Sequence, residues 1–237
     1  MPLQNRVDPF GELFAAAVRG TLLGNRGGRI HTGDKRLTTR RWASRQWICC
    51  RLDFNDRHRD VWSDSYTELF FLDEVTAFAA GHRPCFECRR RDAERFAMLF
   101  AGADPNSAHS RASGNPEFQS QEHRSGLLGP RFRGDERRGG HRASAYAMDN
   151  VLHAERLAGK AKRMHPRRID TLPDGAMIVV DNAAFAVRGD TLLRWSPAAY
   201  TETTARPRAA SVSVLTPPSI LAVLEQGYAP HWHASAG

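Results

Sequence analysis

The part of the chain that most constrains its fold is residues 66–92, where a short apolar run is followed by a helix signal and then by two cysteines. Residues 68–71 (ELFF) predict a strand. Asp73 stands where an N-cap side chain would accept the free amides of a helical first turn. We expect that helix to end at Gly81, which tolerates positive φ, because Pro84 cannot rejoin a helix.

The cysteines that follow this helix predict a metal site. Cys85 and Cys88 emerge on a rigid turn with the C-x-x-C spacing that directs two sulfurs to one ion. Four cysteines that include a C-x-x-C pair favour metal or redox chemistry over structural disulfides. We therefore predict a zinc site at Cys85 and Cys88, with Cys49 and Cys50 as the candidates for its further cysteine ligands.

The remaining ligands depend on a second strand, predicted over residues 46–54 (QWICCRLDF). Since side chains alternate along a strand, the thiols of Cys49 and Cys50 point in opposite directions. One of them can join the C-x-x-C pair, while both could do so only at a bulge or strand end. The fourth ligand is the other cysteine or a histidine, with His31 and His82 as the alternatives.

The sequence EVTAFAAGHRPCFECRR, residues 74–90, resembles the second half of the zinc-binding domain of the Ada family of DNA alkylation-repair proteins. In that family a strand and a short Ala-rich helix precede Gly-aromatic-Arg-Pro-Cys-x-x-Cys-Arg, and His82 takes the aromatic position here. The resemblance implies a zinc fold, and methyl transfer from a DNA phosphotriester to a cysteine. The family's upstream cysteine pair has no equivalent, since Cys49 and Cys50 are adjacent. The resemblance therefore supports the zinc fold more firmly than methyl transfer.

A basic segment, residues 25–51, makes nucleic acid the expected partner. It carries eight Lys or Arg against one acid, Asp34, a net of +7, within a chain of net charge +8. Basic side chains neutralise phosphates, and aromatic faces stack on bases. The alternative is a solvated basic loop whose two tryptophans belong to the core. The residues predicted to contact nucleic acid are Arg40, Arg41, Trp42, Arg45 and Trp47.

An enzymatic role is the alternative function, in one of two forms. A zinc-bound thiolate is a competent nucleophile and could accept a methyl group. His153 and Glu155, with the Pro-Cys-x-x-Cys of residues 84–88, supply both halves of a zinc deaminase signature in reversed order. In such enzymes one His and two Cys hold zinc while the Glu transfers protons.

The fold class expected is α+β: a small antiparallel sheet with short helices around a zinc knuckle, plus a C-terminal β-meander and helix. Residues 1–102 form the zinc module, beginning with an amphipathic helix that carries Phe10, Leu13 and Val18 on one face. Residues 103–144, rich in Gly, Ser and Arg and without apolar periodicity, predict a mobile inserted loop. Residues 145–237 form a C-terminal α+β part that either stands alone or packs as one domain with the first.

The same part contains a predicted Pro/Thr/Arg-rich linker over residues 196–210. No apolar run approaches the roughly 20 residues needed to span a bilayer, so we expect no membrane partner. The N-terminus lacks the sections of a signal peptide, which makes the cytoplasm the expected compartment.

Overall fold

The fold is described from a computed structural model, which covers residues 2–55, 60–103 and 142–237. The inserted loop predicted over residues 103–144 lies almost entirely outside the described residues. The described parts are α+β, with two six-stranded sheets, a short hairpin and four helices, so the predicted fold class is confirmed.

The N-terminal sheet holds the predicted strand-helix-turn unit near its centre. In chain order its strands are β1 (Arg6–Val7), β2 (Leu13–Phe14), β3 (Leu22–Arg26), β4 (Trp47–Cys50), β5 (Leu69–Phe71) and β6 (Arg83–Pro84). Their spatial order is β2-β1-β5-β3-β4-β6, and β3 pairs antiparallel with both β4 and β5. The pairs β1·β5 and β4·β6 are parallel, so this sheet is mixed at its sides.

Helices pack between and beside the sheets. The first begins as predicted, because the Asp73 carboxylate accepts a hydrogen bond from Thr76 N at 2.9 Å. It ends as predicted at Gly81, whose φ is +84°. The four helices are α1 (Glu74–Ala79), α2 (Arg90–Ala103), α3 (Ala145–Arg156) and α4 (Pro218–Glu225).

After α3 comes a separate hairpin of β7 (Leu157–Ala158) and β8 (Ala161–Lys162). The C-terminal sheet follows, with strands β9 (His165–Arg168), β10 (Met177–Val180), β11 (Ala183–Arg188), β12 (Thr191–Trp195), β13 (Tyr200–Ala205) and β14 (Ser211–Val214). Their spatial order is β13-β12-β11-β10-β14-β9. This sheet contains the predicted meander, in which β10, β11 and β12 pair antiparallel in sequence order.

The predicted N-terminal helix is wrong. The chain instead reverses at Gly11, with φ +80°, and the Asp8 carboxylate accepts from Glu12 N at 2.8 Å. The reversal brings β2 antiparallel to β1. Of the apolar residues that suggested a helix, Phe10 and Leu13 pack against two different core clusters, and Val18 is exposed.

The predicted linker over residues 196–210 is also wrong, because it contains strand β13. This is an edge strand of the C-terminal sheet, and only Tyr200 along it is buried. An edge strand with two solvated faces shows no apolar alternation, so the usual period-2 signal is missing.

The two ends of the chain share their hydrophobic core. One cluster joins Phe78 and Phe96 to Met148, Leu152 and Ile220 across the undescribed segment. A buried ion pair crosses it too, because the Arg83 guanidinium binds both carboxylate oxygens of Asp149 at 2.8 Å. The N-terminal and C-terminal parts therefore pack together. None of the helices in the described ranges has the length and apolarity needed to cross a membrane.

Candidate metal centre

Three of the four cysteines meet at the end of β4. The sulfur atoms of Cys50, Cys85 and Cys88 all lie within 4.8 Å of one another. Parallel pairing of β4 with β6 sets Cys49 opposite Pro84, and Cys85 N donates to the Cys49 carbonyl at 3.0 Å. This pairing holds the C-x-x-C turn against the last residue of β4.

The backbone of the turn donates hydrogen bonds to the sulfurs. Glu87 N lies 3.4 Å from the sulfur of Cys85. A hydrogen bond with Cys50 and one from the backbone N–H of Arg51 act to lower the pKa of Cys88, but its hydrogen bond with Cys85 and burial outweigh them, so the pKa of this thiol is raised. N–H groups aimed at sulfur stabilise the thiolate form, which is the form that binds metals.

The three thiols share their protons in the metal-free state. Hydrogen bonds from Cys50 and then from Cys88 lower the pKa of Cys85, so the first negative charge belongs on that sulfur. Hydrogen bonds of Cys50 with Cys85 and Cys88, together with burial, raise the pKa of Cys50. A bound cation removes this conflict, because it stabilises three thiolates at once in place of the shared protons.

Cys49 lies apart from this group, as the alternation along β4 requires. Its side chain is fully buried in a core cluster with Val7 and Phe71 on the opposite face of the sheet. Its sulfur accepts a hydrogen bond from the Arg89 guanidinium at 3.3 Å, and burial raises the pKa of its thiol. The predicted four-cysteine set is therefore not assembled.

Neither histidine considered as a ligand is brought to the sulfurs. Both ring nitrogens of His31 are engaged, one with the Thr67 hydroxyl at 2.7 Å and the other with the Ser63 carbonyl at 2.9 Å. His82 is buried between the rings of Trp47 and Phe71, with centroids 5.0 and 4.7 Å away. Among the described residues, no fourth Cys, His, Asp or Glu joins the group of three.

The structure does not assemble the deaminase-like arrangement either. The ring of His153 packs on Trp42 at 5.3 Å, and its Nδ1 lies 3.1 Å from the Arg156 guanidinium. The carboxylate of Glu155 accepts from both the backbone N and the hydroxyl of Ser219. Helix α3 thus uses these two residues for packing and for capping α4.

Two clefts in the described part of the chain reach this group of cysteines. The larger, here called the thiol cleft, has a volume of about 670 Å³, and Cys50, Cys85 and Cys88 all line it. The second, here called the arginine cleft, measures about 630 Å³ and touches the group only at Cys88. Its other walls include Arg51, Arg90, Arg91 and Trp232.

The residues predicted to contact nucleic acid differ in accessibility. Arg40 and Arg45 are exposed, and Arg45 donates to the Asn150 amide oxygen at 2.9 Å. Arg41 is half-buried and pairs with Glu12 at 2.5 Å. Trp42 is half-buried as well.

Trp47 must be removed from that set, because only 2% of it is exposed. The guanidinium groups of Arg26 and Arg156 lie over its ring, 4.1 and 3.9 Å from the centroid. A base cannot stack on a ring covered by two buried cations. The alternative stated above, a tryptophan that belongs to the core, is correct for this residue.

Two features of the site escaped the sequence reasoning. The Arg26–Trp47–Arg156 stack joins residues far apart in sequence, and no local pattern signals it. The second is Glu68, which lines the thiol cleft although it is 1% exposed. Period-2 alternation through Glu68 and Phe70 was the available signal, since it places both on the sheet face that carries Cys50.

Comparisons with protein-family models, with curated proteins and with solved structures find no match for this chain. Its function must be inferred from the site itself.

Proposed function

We propose that this protein binds zinc through Cys50, Cys85 and Cys88, with the fourth coordination position open to the thiol cleft. The observation that carries the proposal is the group of three sulfurs within 4.8 Å of one another at the wall of that cleft. Tetrahedral zinc with Zn–S bonds of about 2.3 Å needs sulfurs about 3.8 Å apart. The 4.8 Å limit within which the three sulfurs lie is compatible with that spacing.

The donor set favours zinc over other metals. Soft thiolates select zinc, copper(I) or iron–sulfur clusters and disfavour magnesium and calcium, which prefer oxygen ligands. Iron–sulfur clusters generally take four protein ligands, whereas three are brought together among the described residues. The amide bonds to the sulfurs of Cys85 and Cys88 also suit a zinc-bound thiolate.

A site with three protein ligands supports a reactive role. Structural zinc sites are closed by four protein ligands, while catalytic sites keep one position for water or substrate. Zinc lowers the pKa of bound water to about 7, so this position would supply a nucleophile at neutral pH. Among the described residues, no Asp, Glu or His joins the three sulfurs, which leaves that position to water or a ligand.

Methyl acceptance by Cys50 is the second form of this activity, favoured by the position of Cys50 on the wall of the thiol cleft. The sulfur would form a bond to the methyl carbon of a phosphotriester while the carbon–oxygen bond breaks, leaving a phosphodiester. A relation of this chain to the Ada family is part of the same proposal. Mass spectrometry after incubation with methyl-phosphotriester DNA would show one methyl group on Cys50. An unmodified Cys50 in zinc-loaded protein excludes it.

We propose nucleic acid as the partner, bound through exposed arginines, two of which border the cleft beside Cys88. Arg40, Arg45, Arg51 and Arg91 are exposed, and the last two line the arginine cleft beside Cys88. Phosphate contacts make binding weaken with salt. Replacing Arg40 and Arg45 by Glu should abolish a gel shift seen at low salt, and unchanged binding would contradict the proposal.

Metal analysis of purified protein tests the main proposal. We expect one zinc per chain, with the serine variants of Cys50, Cys85 and Cys88 each losing most of it. Cys49→Ser is the matched control, since it changes the neighbouring thiol on the other face. Equal zinc in Cys50→Ser and unmodified protein, or loss of zinc in Cys49→Ser, would overturn the assignment.

A further inference from the structure

The thiol cleft lies over one face of the central strands of the N-terminal sheet. Leu23 pairs with both Cys50 and Phe70, so these three side chains form one row across β4, β3 and β5. The next row on that face holds Ile48, Asn25 and Glu68, because Asn25 pairs with Ile48 and Gly24 pairs with Leu69. All six side chains line the cleft.

Glu68 brings an unsatisfied acceptor to this wall. One of its carboxylate oxygens accepts from Trp62 N at 2.8 Å, and its main-chain carbonyl accepts from the Trp62 indole at 2.9 Å. The other oxygen, Oε1, is buried and has no hydrogen-bond partner. Leaving a buried carboxylate oxygen without a hydrogen bond costs folding free energy. We therefore expect a bound ligand to supply the missing donor.

Asn25 supplies the complementary group beside it. Its side-chain oxygen accepts from Gly27 N at 2.9 Å, which leaves its Nδ2 group as the donor. Glu68 and Asn25 together therefore offer an acceptor and a donor side by side. This pairing matches a ligand edge that carries an N–H next to an acceptor nitrogen or oxygen.

The rest of the cleft fits a flat apolar body between this edge and the sulfurs. Phe54, Val61, Tyr66 and Phe70 line it. Strand β3 lies between β4, which ends at Cys50, and β5, which begins directly after Glu68. The backbones of Cys50 and Glu68 are therefore roughly 10 Å apart across the sheet. A ring system can touch Glu68 at one edge and approach a metal at the other.

We propose that the thiol cleft binds a nucleobase or a similar amino-substituted heterocycle, with its hydrogen-bonding edge on Glu68 and Asn25 and its opposite side toward the metal. The approach of the ligand to a metal depends on the proposed zinc site. Recognition of the ligand's hydrogen-bonding edge depends on Glu68 and Asn25 alone.

Calorimetric titration of the zinc-loaded full chain with adenosine, cytidine, guanosine and uridine tests the proposal. We expect saturable binding of at least one nucleoside that carries an amino group, and no binding of ribose. Glu68→Gln should weaken that binding at least tenfold, because it replaces the acceptor oxygen with an amide donor. Asp53→Asn, an exposed carboxylate on the same cleft, should bind like the unmodified protein.

Stability separates recognition from a structural role for Glu68. Glu68→Gln should melt at the same or a higher temperature and keep its zinc, because it removes a buried negative charge and keeps an oxygen that can accept from Trp62 N. Failure of every nucleoside to bind, equal binding by Glu68→Gln, or a lower melting temperature would overturn the proposal. If purified protein holds no zinc yet Glu68-dependent binding persists, the zinc proposal fails and the recognition edge stands.

Discussion

The thiols of Cys49 and Cys50 are neighbours in the chain but lie on opposite faces of β4, one in the core and one in the group of three cysteines that could hold a metal ion. The core thiol accepts from Arg89, which also binds the buried carboxylate of Glu74 at 2.7 Å. The strand's alternation thus gives two cysteines of one dipeptide unrelated environments.

The first prediction concerns the reactivity of these thiols in folded protein. After removal of metal, iodoacetamide should modify Cys50, Cys85 and Cys88, which line the thiol cleft, while Cys49 resists because it is fully buried on the opposite face of β4. Adding zinc should protect Cys50, Cys85 and Cys88. Peptide mass spectrometry measures this, and modification of Cys49 at the rate of Cys50 would contradict the structure.

The second prediction compares two glycines at helix ends. Gly81 and Gly227 have φ values of +84° and +87°, so alanine at either costs about 1 kcal/mol in backbone strain. A Cβ at Gly81 would also lie 2.7 Å from the Arg156 side chain, whereas a Cβ at Gly227 meets no atom within 4 Å. Thermal melts should show a clearly larger loss for Gly81→Ala. Equal losses would mean that Arg156 moves freely.

The third prediction concerns the buried ion pair between the two ends of the chain. Asp149→Ala leaves Arg83 buried and unpaired, which should cost about 3–5 kcal/mol of unfolding free energy. Glu202→Ala breaks the exposed Arg194 pair and should cost less than about 1 kcal/mol. Urea denaturation measures both. A loss below 1 kcal/mol for Asp149→Ala would show that the pair does not hold the parts together.

The fourth prediction concerns the pH dependence caused by His82. Burial, reinforced by the cations Arg26 and Arg156, lowers the pKa of its imidazole well below the ordinary value of 6.5. As pH falls through about 6.5 the unfolded chain takes up a proton that the folded chain refuses, so stability declines toward pH 5. His82→Leu should flatten that decline, as denaturation at pH 7 and pH 5 would show.

The stability of His82→Leu at pH 7 supplies a second readout. Both ring nitrogens of His82 are buried without hydrogen-bond partners, so leucine should change the unfolding free energy by less than about 1 kcal/mol. A large loss, or loss of zinc, would show that the imidazole has a partner after all.

Local signals predicted the elements around the site well. Asp73 and Gly81 fixed both ends of α1 because capping depends on single residues and their immediate neighbours. Alternation along residues 46–54 correctly separated the two adjacent thiols. The cluster of Cys50 with the C-x-x-C turn follows from that alternation and from the pairing of β4 with β6.

The features that could not be predicted depend on distant partners. The reversal at Gly11 is held by the buried Arg26, whose guanidinium donates to the Gly11 carbonyl at 2.8 Å. The burial of Trp47 needs Arg156, which lies in α3 on the far side of the undescribed segment. Apolar spacing and charge density describe one stretch at a time, so they assigned residues 10–18 to a helix and Trp47 to a ligand surface.

The Arg26–Trp47–Arg156 stack also has a consequence for the order in which the protein is made. The ribosome synthesises Cys50, Cys85 and Cys88 before α3, and folding during synthesis begins at the N-terminus. One face of Trp47 therefore stays uncovered until Arg156 emerges. If the protein binds zinc as proposed, the nascent chain can take up the ion while this face is still open, before α3 covers it.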